Sequence, residues 1–309
     1  MGMTALALVN AARGELGLIP DLTTLVGSTS AAQLKSLLDG LGRDLVSDRD
    51  WVLLQRQATI QTVAPLVTTG DTTLGSASLT NVASIAGLND GWVVTGTGVA
   101  RAARVVSASV TTVVTDSAST ATGAGVDLTF SRDTFAVPAD FEKMVDDTQW
   151  DRSNQWKMIG PDSPQSYQYL TSGVIAMGPR VRFLQVAFGT GRGMRIWPPP
   201  TAVDAPATLA YNYISNYWVL SAAGAGKNSI TVDTDTFLFP DVLLIAGLKA
   251  KLWRAQGFDS TAYDMDYARV LAKVRGQDRG GKITQADRRR GPFLISSANA
   301  PEGNFPGPP

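Results

Sequence analysis

The 309-residue sequence predicts an α+β fold: a helical core built from N- and C-terminal helices with β-strands, plus an inserted all-β module, sandwich- or barrel-like. Three observations carry this expectation. Helical apolar spacing occurs near both ends of the chain, and short β-branched runs fill the middle. Composition also changes abruptly between residues 64 and 132, where Lys and Glu vanish and Thr, Ser, Val, Ala and Gly dominate. The expected division is a helical part at 1–63, the inserted module at 64–132, strands with a C-terminal helix pair at 133–280, and an extended arm at 281–309.

A first helix is expected over 4–16, because Leu6, Val9, Ala12 and Leu16 recur near helical spacing. Gly17 is placed to cap it and Pro20 to stop it. A second helix should start at Ser30, where Ser30-Ala-Ala-Gln33 has capping-box spacing. Leu34, Leu37, Leu38, Leu41 and Leu45 form its apolar stripe. Gly40 and Gly42 weaken that helix by about 1 kcal/mol each, marking either close packing or a kink. In the module, turn signals at 69–71, 87–91, 96–98 and 123–125 separate short strands at 92–95, 105–106, 110–115 and 126–130. An insertion needs its ends close together, so 58–63 and 129–137 are expected to pair as neighbouring strands.

Past Trp150, Ser163 as N-cap and Pro164 as the first helical residue predict a short helix over 163–170. Strands are expected at 181–188, 194–197, 208–215 and 229–232. Asp241 should then cap an apolar helix reaching Gln256. A turn at 257–260 leads into a last helix over 260–275, with Tyr263, Tyr267, Val270, Leu271 and Val274 on its apolar face. The remainder is basic, then apolar, then rich in Pro and Gly.

Several kinds of chemistry are excluded outright. The chain has neither Cys nor His, so disulfides, thiolate nucleophiles, zinc–thiolate sites and imidazole-based triads are impossible. Formal net charge is zero, so any attraction to nucleic acid must be local. No apolar segment is long enough for a membrane span, and no membrane partner is expected. The stretch 4–13 lacks a basic leader, which makes it an amphipathic helix rather than a signal peptide.

The remaining motifs each have a plain reading. Residues 223–229 contain Gly-Lys but depart from a phosphate-binding loop at Ser221 and Asn228, and a strand follows; a hairpin turn is expected. Residues 189–193 also join strand to strand, where glycine supplies positive φ. A wall-cleaving glycosidase would need two acids across a cleft, one with a raised pKa. The only glutamates are Glu15, Glu142 and Glu302, scattered between a helix, a turn and the tail. Asp146-Asp147 and the pair Asp264 and Asp266 read as solvated or capping groups. Asp233-Thr-Asp235 lacks a calcium loop's glycine and distal Glu, leaving a turn. No catalytic residue, cofactor or metal is therefore assigned.

The strongest local signal is basic: Arg269, Lys273, Arg275, Arg279, Lys282, Arg288, Arg289 and Arg290, opposed only by Asp278 and Asp287. It reads either as a solvated helix end and tail or as a face toward DNA phosphates or an acidic partner. Without interleaved aromatics, sequence-specific recognition is not expected. The aromatics Trp150, Trp156, Trp197, Tyr211, Tyr213, Tyr217 and Trp218 are core by default, some being interface anchors.

Two segments flanking the insertion carry a resemblance. The runs 51–64 and 135–152, joined directly, resemble the strand, the Pro-x-Asp-Phe turn and the Trp-Asp-Arg segment of the head-to-tail adaptor (connector, or tail accessory) proteins of short-tailed bacteriophages. Here these are Pro138, Asp140 and Phe141, then Trp150, Asp151 and Arg152. The opening helix, Arg195-Ile-Trp-Pro-Pro199, Tyr213-Ile-Ser-Asn-Tyr-Trp218 and the final helix pair match in kind and order. The resemblance implies a non-enzymatic virion protein at the head–tail junction. It would form a homo-oligomeric ring of about twelve copies beneath the portal protein, extending a channel for non-specific double-stranded DNA and docking tail nozzle, tube or fibre proteins. It also implies a C-terminal arm reaching the portal or a neighbour, with Phe293, Leu294, Ile295 and Phe305 as its apolar anchors. The insertion departs from the simplest family members and is expected to face outward. Alternatives are another tail component, such as a tube or baseplate protein, a peptidoglycan hydrolase, or a free-standing DNA-binding protein with salt-sensitive binding.

Overall fold

A computed structural model describes residues 2–18, 21–29, 31–172, 181–202 and 205–278. Helix α1 (Ala5–Glu15) opens on Thr4, whose hydroxyl accepts the Ala7 N–H at 3.3 Å. It closes where Gly17, at φ 69°, lets the Leu18 N–H return to the Arg13 carbonyl at 2.9 Å. Helix α2 (Ala32–Asp48) has Ala31 at its capping position and no side-chain cap. The expected cap at Ser30 lies outside the described residues. Leu34, Leu38, Leu41 and Leu45 are buried as expected, whereas Leu37 is only partly covered. The helix runs unbroken through both glycines. At Gly42 the reason is packing: a Cβ there would stand 2.2 Å from the Trp218 indole.

A 3-10 turn at Val52–Leu54 leads into β1 (Gln55–Gln61). The next six strands are β2 (Leu66–Thr72), β3 (Ser78–Leu79), β4 (Val93–Gly96), β5 (Val105–Ser109), β6 (Thr112–Thr115) and β7 (Gly123–Ser131). They form two antiparallel three-stranded sheets, β2-β7-β4 and β3-β6-β5. Leu79, Val82, Val94, Ala103, Val105, Val113, Leu128 and Phe130 fill a core of their own. The expected turn at 69–71 is instead the end of β2. Gly70 is required there because Leu128 Cδ1 would lie 2.8 Å from a Cβ. Likewise 123–125 is the start of β7, beside a register shift between Gly70 and Thr72.

Ten further elements follow: β8 (Thr134–Ala136), β9 (Phe141–Met144), β10 (Trp150–Asp151), β11 (Trp156–Lys157), helix α3 (Pro164–Ser172), β12 (Arg182–Phe188), β13 (Gly191–Trp197), β14 (Thr208–Ser215), β15 (Val219–Leu220) and β16 (Gly226–Lys227). The chain ends its described course with β17 (Thr236–Phe237), α4 (Asp241–Ala255) and α5 (Thr261–Gln277). Ser163 caps α3, its hydroxyl accepting the Ser166 N–H at 3.1 Å. The glycine loops at 189–190 and 221–225 are hairpin turns, β12 to β13 and β15 to β16.

The expected pairing of 58–63 with 129–137 does not form. All of β1 pairs with β14, β8 pairs with β13, and β7 pairs with β2 and β4. The ends of 66–131 are nevertheless adjacent, because Leu66 and Phe130 face each other across β2 and β7. The segment closes its ends with its own strands.

Strand β14 is the hub of the larger sheet, flanked by β1, β9 and β10, with β11 beyond. Its residues Leu209, Tyr211 and Tyr213 pack with Ile60, Phe141, Met144 and Met158. The helical core forms separately, from α1, α2 and α4 with Trp51, Trp218, Phe237 and Phe239. Helix α4 sits between its neighbours: Gly247 leaves room for Leu41 of α2 and Tyr267 of α5. Both ends of the chain thus supply the helical core, and the fold is α+β.

Two local expectations fail near this core. Residues 229–232 are not a strand, because buried carboxylates capture their amides. Asp39 Oδ1 accepts the Ile230 N–H at 2.9 Å, and Asp235 Oδ2 accepts those of Thr231 and Val232 at 2.8 and 2.9 Å. Asp241 is the first helical residue rather than the cap, which is Pro240. Its Oδ2 accepts the Met3 N–H at 3.0 Å, tying down the N-terminus.

Burial works against the Asp235 carboxylate, yet hydrogen bonds from Lys227, Thr231 and Val232 hold its pKa below the ordinary 3.8. A depressed folded value means this stabilisation is present above pH 3.8 and lost as pH falls through the folded value. Asp235→Asn is expected to lose about 2 kcal/mol at neutral pH and to narrow its deficit on acidification. Urea unfolding of both proteins at neutral and acid pH reads this; an unchanged difference across pH contradicts it.

Candidate functional site

The motif residues converge on β14. A tight turn, closed by the Phe141 N–H donating to the Pro138 carbonyl at 3.0 Å, delivers Asp140 into a buried position. There it accepts hydrogen bonds from the Tyr213 hydroxyl (2.9 and 3.1 Å) and the Ser215 hydroxyl (2.6 Å). Arg56 Nη1, from β1, approaches to 3.3 Å. Tyr213 and Ser215 are two apart on one strand and so share a face. Phe141 stacks on Tyr213 with ring centroids 5.8 Å apart. Burial, then the Asp140 carboxylate, pushes the Tyr213 phenol up to about 12, so it remains a donor.

Asp151 is also buried. Its Oδ1 accepts the amides of Ser153 and Asn154 at 3.0 and 3.1 Å, shaping the turn from β10 to β11. Trp150 pairs with Ala210 but leaves its ring exposed, as does Trp156 across the hairpin. Arg152 binds β14 through its backbone, N–H to the Thr208 carbonyl at 2.8 Å, and its side chain is exposed. The motif therefore locks strands together and offers no activated nucleophile. Of the other aromatics, Trp197, Tyr211, Tyr213 and Trp218 are buried.

The basic residues divide. Arg269 pairs with Asp266 at 2.6 Å and Arg275 with Asp48 at 2.5 Å, both within the chain, while Lys273 is exposed. Arg279, Lys282, Arg288, Arg289 and Arg290 lie outside the described residues, as do the arm anchors Phe293, Leu294, Ile295 and Phe305. The root of the arm is held firmly. Asp278 accepts the amides of Val52 and Leu53 at 2.9 and 3.3 Å, and Arg49 donates to the Arg275 carbonyl at 3.1 Å.

Several of the acidic candidates are engaged in structure, and Glu302 lies outside the described residues. Asp147 pairs with Lys157 at 2.5 Å, and Asp264 binds Ser260 and Arg254. Asp233 Oδ1 accepts the amides of Leu25 and Val26 at 3.1 and 2.7 Å. Asp71, Asp235, Asp259 and Asp264 all sit below the ordinary carboxylate pKa, opposite to a general acid's needs. Among the described residues, no group of three or more acids is placed to hold a metal ion, and no helix is long and apolar enough to cross a membrane.

One constellation had no motif to announce it. Asp133, 1% exposed between β7 and β8, receives Arg104 in a two-point pair, Nη2 to Oδ2 at 2.5 Å and Nη1 to Oδ1 at 3.1 Å. Thr134 donates to the same carboxylate at 2.8 Å. The available signal was scarcity: Arg101, Arg104 and Arg132 are the only cations between 64 and 132. All three reach outward from that segment's strands: Arg101 Nε to the Thr171 carbonyl of α3, Arg104 to Asp133, and Arg132 Nε to the Thr134 carbonyl.

A search of curated proteins found no match. Residues 86–295, more than half of the chain, match the family described as SU10 adaptor protein. The match takes in β4 to β7 as well as everything from β8 to α5. The chain belongs to the SU10 adaptor protein family, a family of phage adaptors.

Proposed function

We propose that this phage adaptor forms a ring beneath the portal at the head–tail junction, extends the DNA channel and docks tail proteins. Family membership over 86–295 is the observation that carries this reading. The Asp140 lock and the anchored root of the arm at Asp278 support it, since a ring component must transmit load through rigid strands. Arg269 and Lys273, both exposed on α5, contribute non-specific attraction for DNA phosphates. The basic residues from Arg279 onward and the apolar arm residues Phe293, Leu294, Ile295 and Phe305 engage the portal or a neighbouring copy. The strands between 64 and 132 decorate the outside of the ring.

Native mass spectrometry of the chain, alone and mixed with the portal protein encoded beside it, tests the proposal. A closed assembly of about twelve copies, alone or on the portal, is expected, and it should survive replacement of 65–131 by a short linker. A full-length chain that stays monomeric and ignores the portal overturns the reading. Loss of the ring in the shortened chain alone would place that segment between subunits instead.

A further inference from the structure

A cleft of about 350 Å³ opens where three separate elements meet. Arg101 and Arg104 line it from the loop between β4 and β5, Tyr167 and Thr171 from α3, and Arg195 from β13. Arg104 is consumed by Asp133 and the Gly91 carbonyl, so it contributes charge rather than donors. Arg101 and Arg195 differ. Each is held through Nε, to the Thr171 carbonyl at 3.0 Å and the Thr134 hydroxyl at 3.2 Å, with Arg195 Nε also 3.9 Å from Asp133 Oδ2. Those bonds position the guanidinium without consuming its Nη pair.

Tyr167 supplies the second, independent observation. It is 4% exposed, packed edge-on against Trp197, and its hydroxyl is buried beside the Arg104 guanidinium, which can only donate, so its own proton has no acceptor. An unpaired buried hydroxyl costs about 1–3 kcal/mol, so one lining an arginine-rich cleft points to a missing acceptor. Burial, then the nearby Asp133 carboxylate, pushes its pKa well above the ordinary phenol value, which keeps the proton on. The acids facing the cleft are Asp116, which accepts the Arg104 N–H at 2.9 Å, and Asp133 beneath it. Against three guanidiniums they leave net positive charge.

We propose that this cleft binds a tetrahedral oxyanion of the phosphate class, with Arg101, Arg195 and the Tyr167 hydroxyl as its donors. Donors from three elements converging from different directions suit a tetrahedral anion better than a planar carboxylate. Because Arg101 and Arg195 come from opposite sides of the seam, the bound anion would also strap the 66–131 strands to β13.

Isothermal titration of the full-length chain with inorganic phosphate, near neutral pH and at matched ionic strength, tests this. Saturable binding of about one phosphate per chain is expected, with acetate much weaker. Arg101→Gln, at an exposed position, should weaken phosphate binding about tenfold. Tyr167→Phe removes only the hydroxyl; it should weaken binding several-fold while leaving the phosphate-free melting temperature unchanged or slightly raised. Absence of saturable binding, acetate binding as tightly as phosphate, or unchanged affinity in both variants overturns the proposal. Arg254→Gln, on α4, should bind phosphate as the unaltered protein does; an equal loss there would reduce the effect to general charge and overturn it too.

Discussion

Asp140→Ala is expected to destabilise the protein by about 3–5 kcal/mol, the range for removing one partner from a buried charged network. Three donors lose their acceptor at once: the hydroxyls of Tyr213 and Ser215, and the Arg56 guanidinium. The first two are buried and cannot turn to water. The turn carrying Asp140 also presents its carbonyl to the Asn216 N–H at 2.8 Å, so relaxation of the side-chain network loosens the end of β14. Asp140→Asn retains an acceptor oxygen and should recover part of the loss. Tyr213→Phe deletes one donor and should cost only about 1 kcal/mol. Combined with Asp140→Ala it should be clearly less than additive, since the phenol no longer has to be buried unpaired. Urea-unfolding midpoints of the four proteins measure this. Strict additivity would mean that Asp140 and Tyr213 act independently, contrary to their 2.9 Å contact.

The parts of this fold that were legible in the sequence are those decided within a few residues. Thr4 and Gly17 bracket α1 because both caps are local backbone chemistry, and Ser163-Pro164 opens α3 for the same reason. The hairpin glycines at 189 and 224 have positive φ, as their turns require. Long-range choices were not legible in that way. Residues 229–232 have strand-like composition, but Asp39, nearly two hundred residues away in sequence, competes for the Ile230 amide. Gly70 reads as a turn residue, and only the distant Leu128 side chain explains it within a strand. The partner of β1 could not be deduced from proximity in sequence, because β14 lies beyond the whole intervening segment. For the site, Asp140, Phe141 and Asp151 stood out through their resemblance to the adaptor pattern, and their buried networks supply its physical basis. Asp133 lies outside any such pattern. Its importance depends on which cation arrives opposite it, and that is decided by the packing of the 66–131 strands.

That dependence makes Asp133→Ala the other large expected effect. The carboxylate is almost fully enclosed and takes two bonds from Arg104, which is itself largely covered. Removing it leaves a guanidinium facing a low-dielectric seam without its counter-charge, a loss again of about 3–5 kcal/mol. The distribution of the loss should differ from that at Asp140. The 66–131 strands keep their own core, Leu79 to Phe130, and their own closure at Leu66 and Phe130. Their attachment beyond the two chain crossings relies on Arg104 with Asp133, Arg101 with the Thr171 carbonyl, the Ser131 hydroxyl donating to the Pro200 carbonyl at 3.0 Å, and the packing of Ala102 with Tyr167, Leu170 and Trp197. Asp133→Ala should therefore uncouple the two parts before either unfolds. Thermal unfolding should broaden or split into two steps, and hydrogen exchange should accelerate first around β8 and residues 101–104, ahead of β14. If instead both cores lose protection together in a single transition, then the seam is held chiefly by its apolar contacts, and the Arg104–Asp133 pair serves orientation rather than attachment.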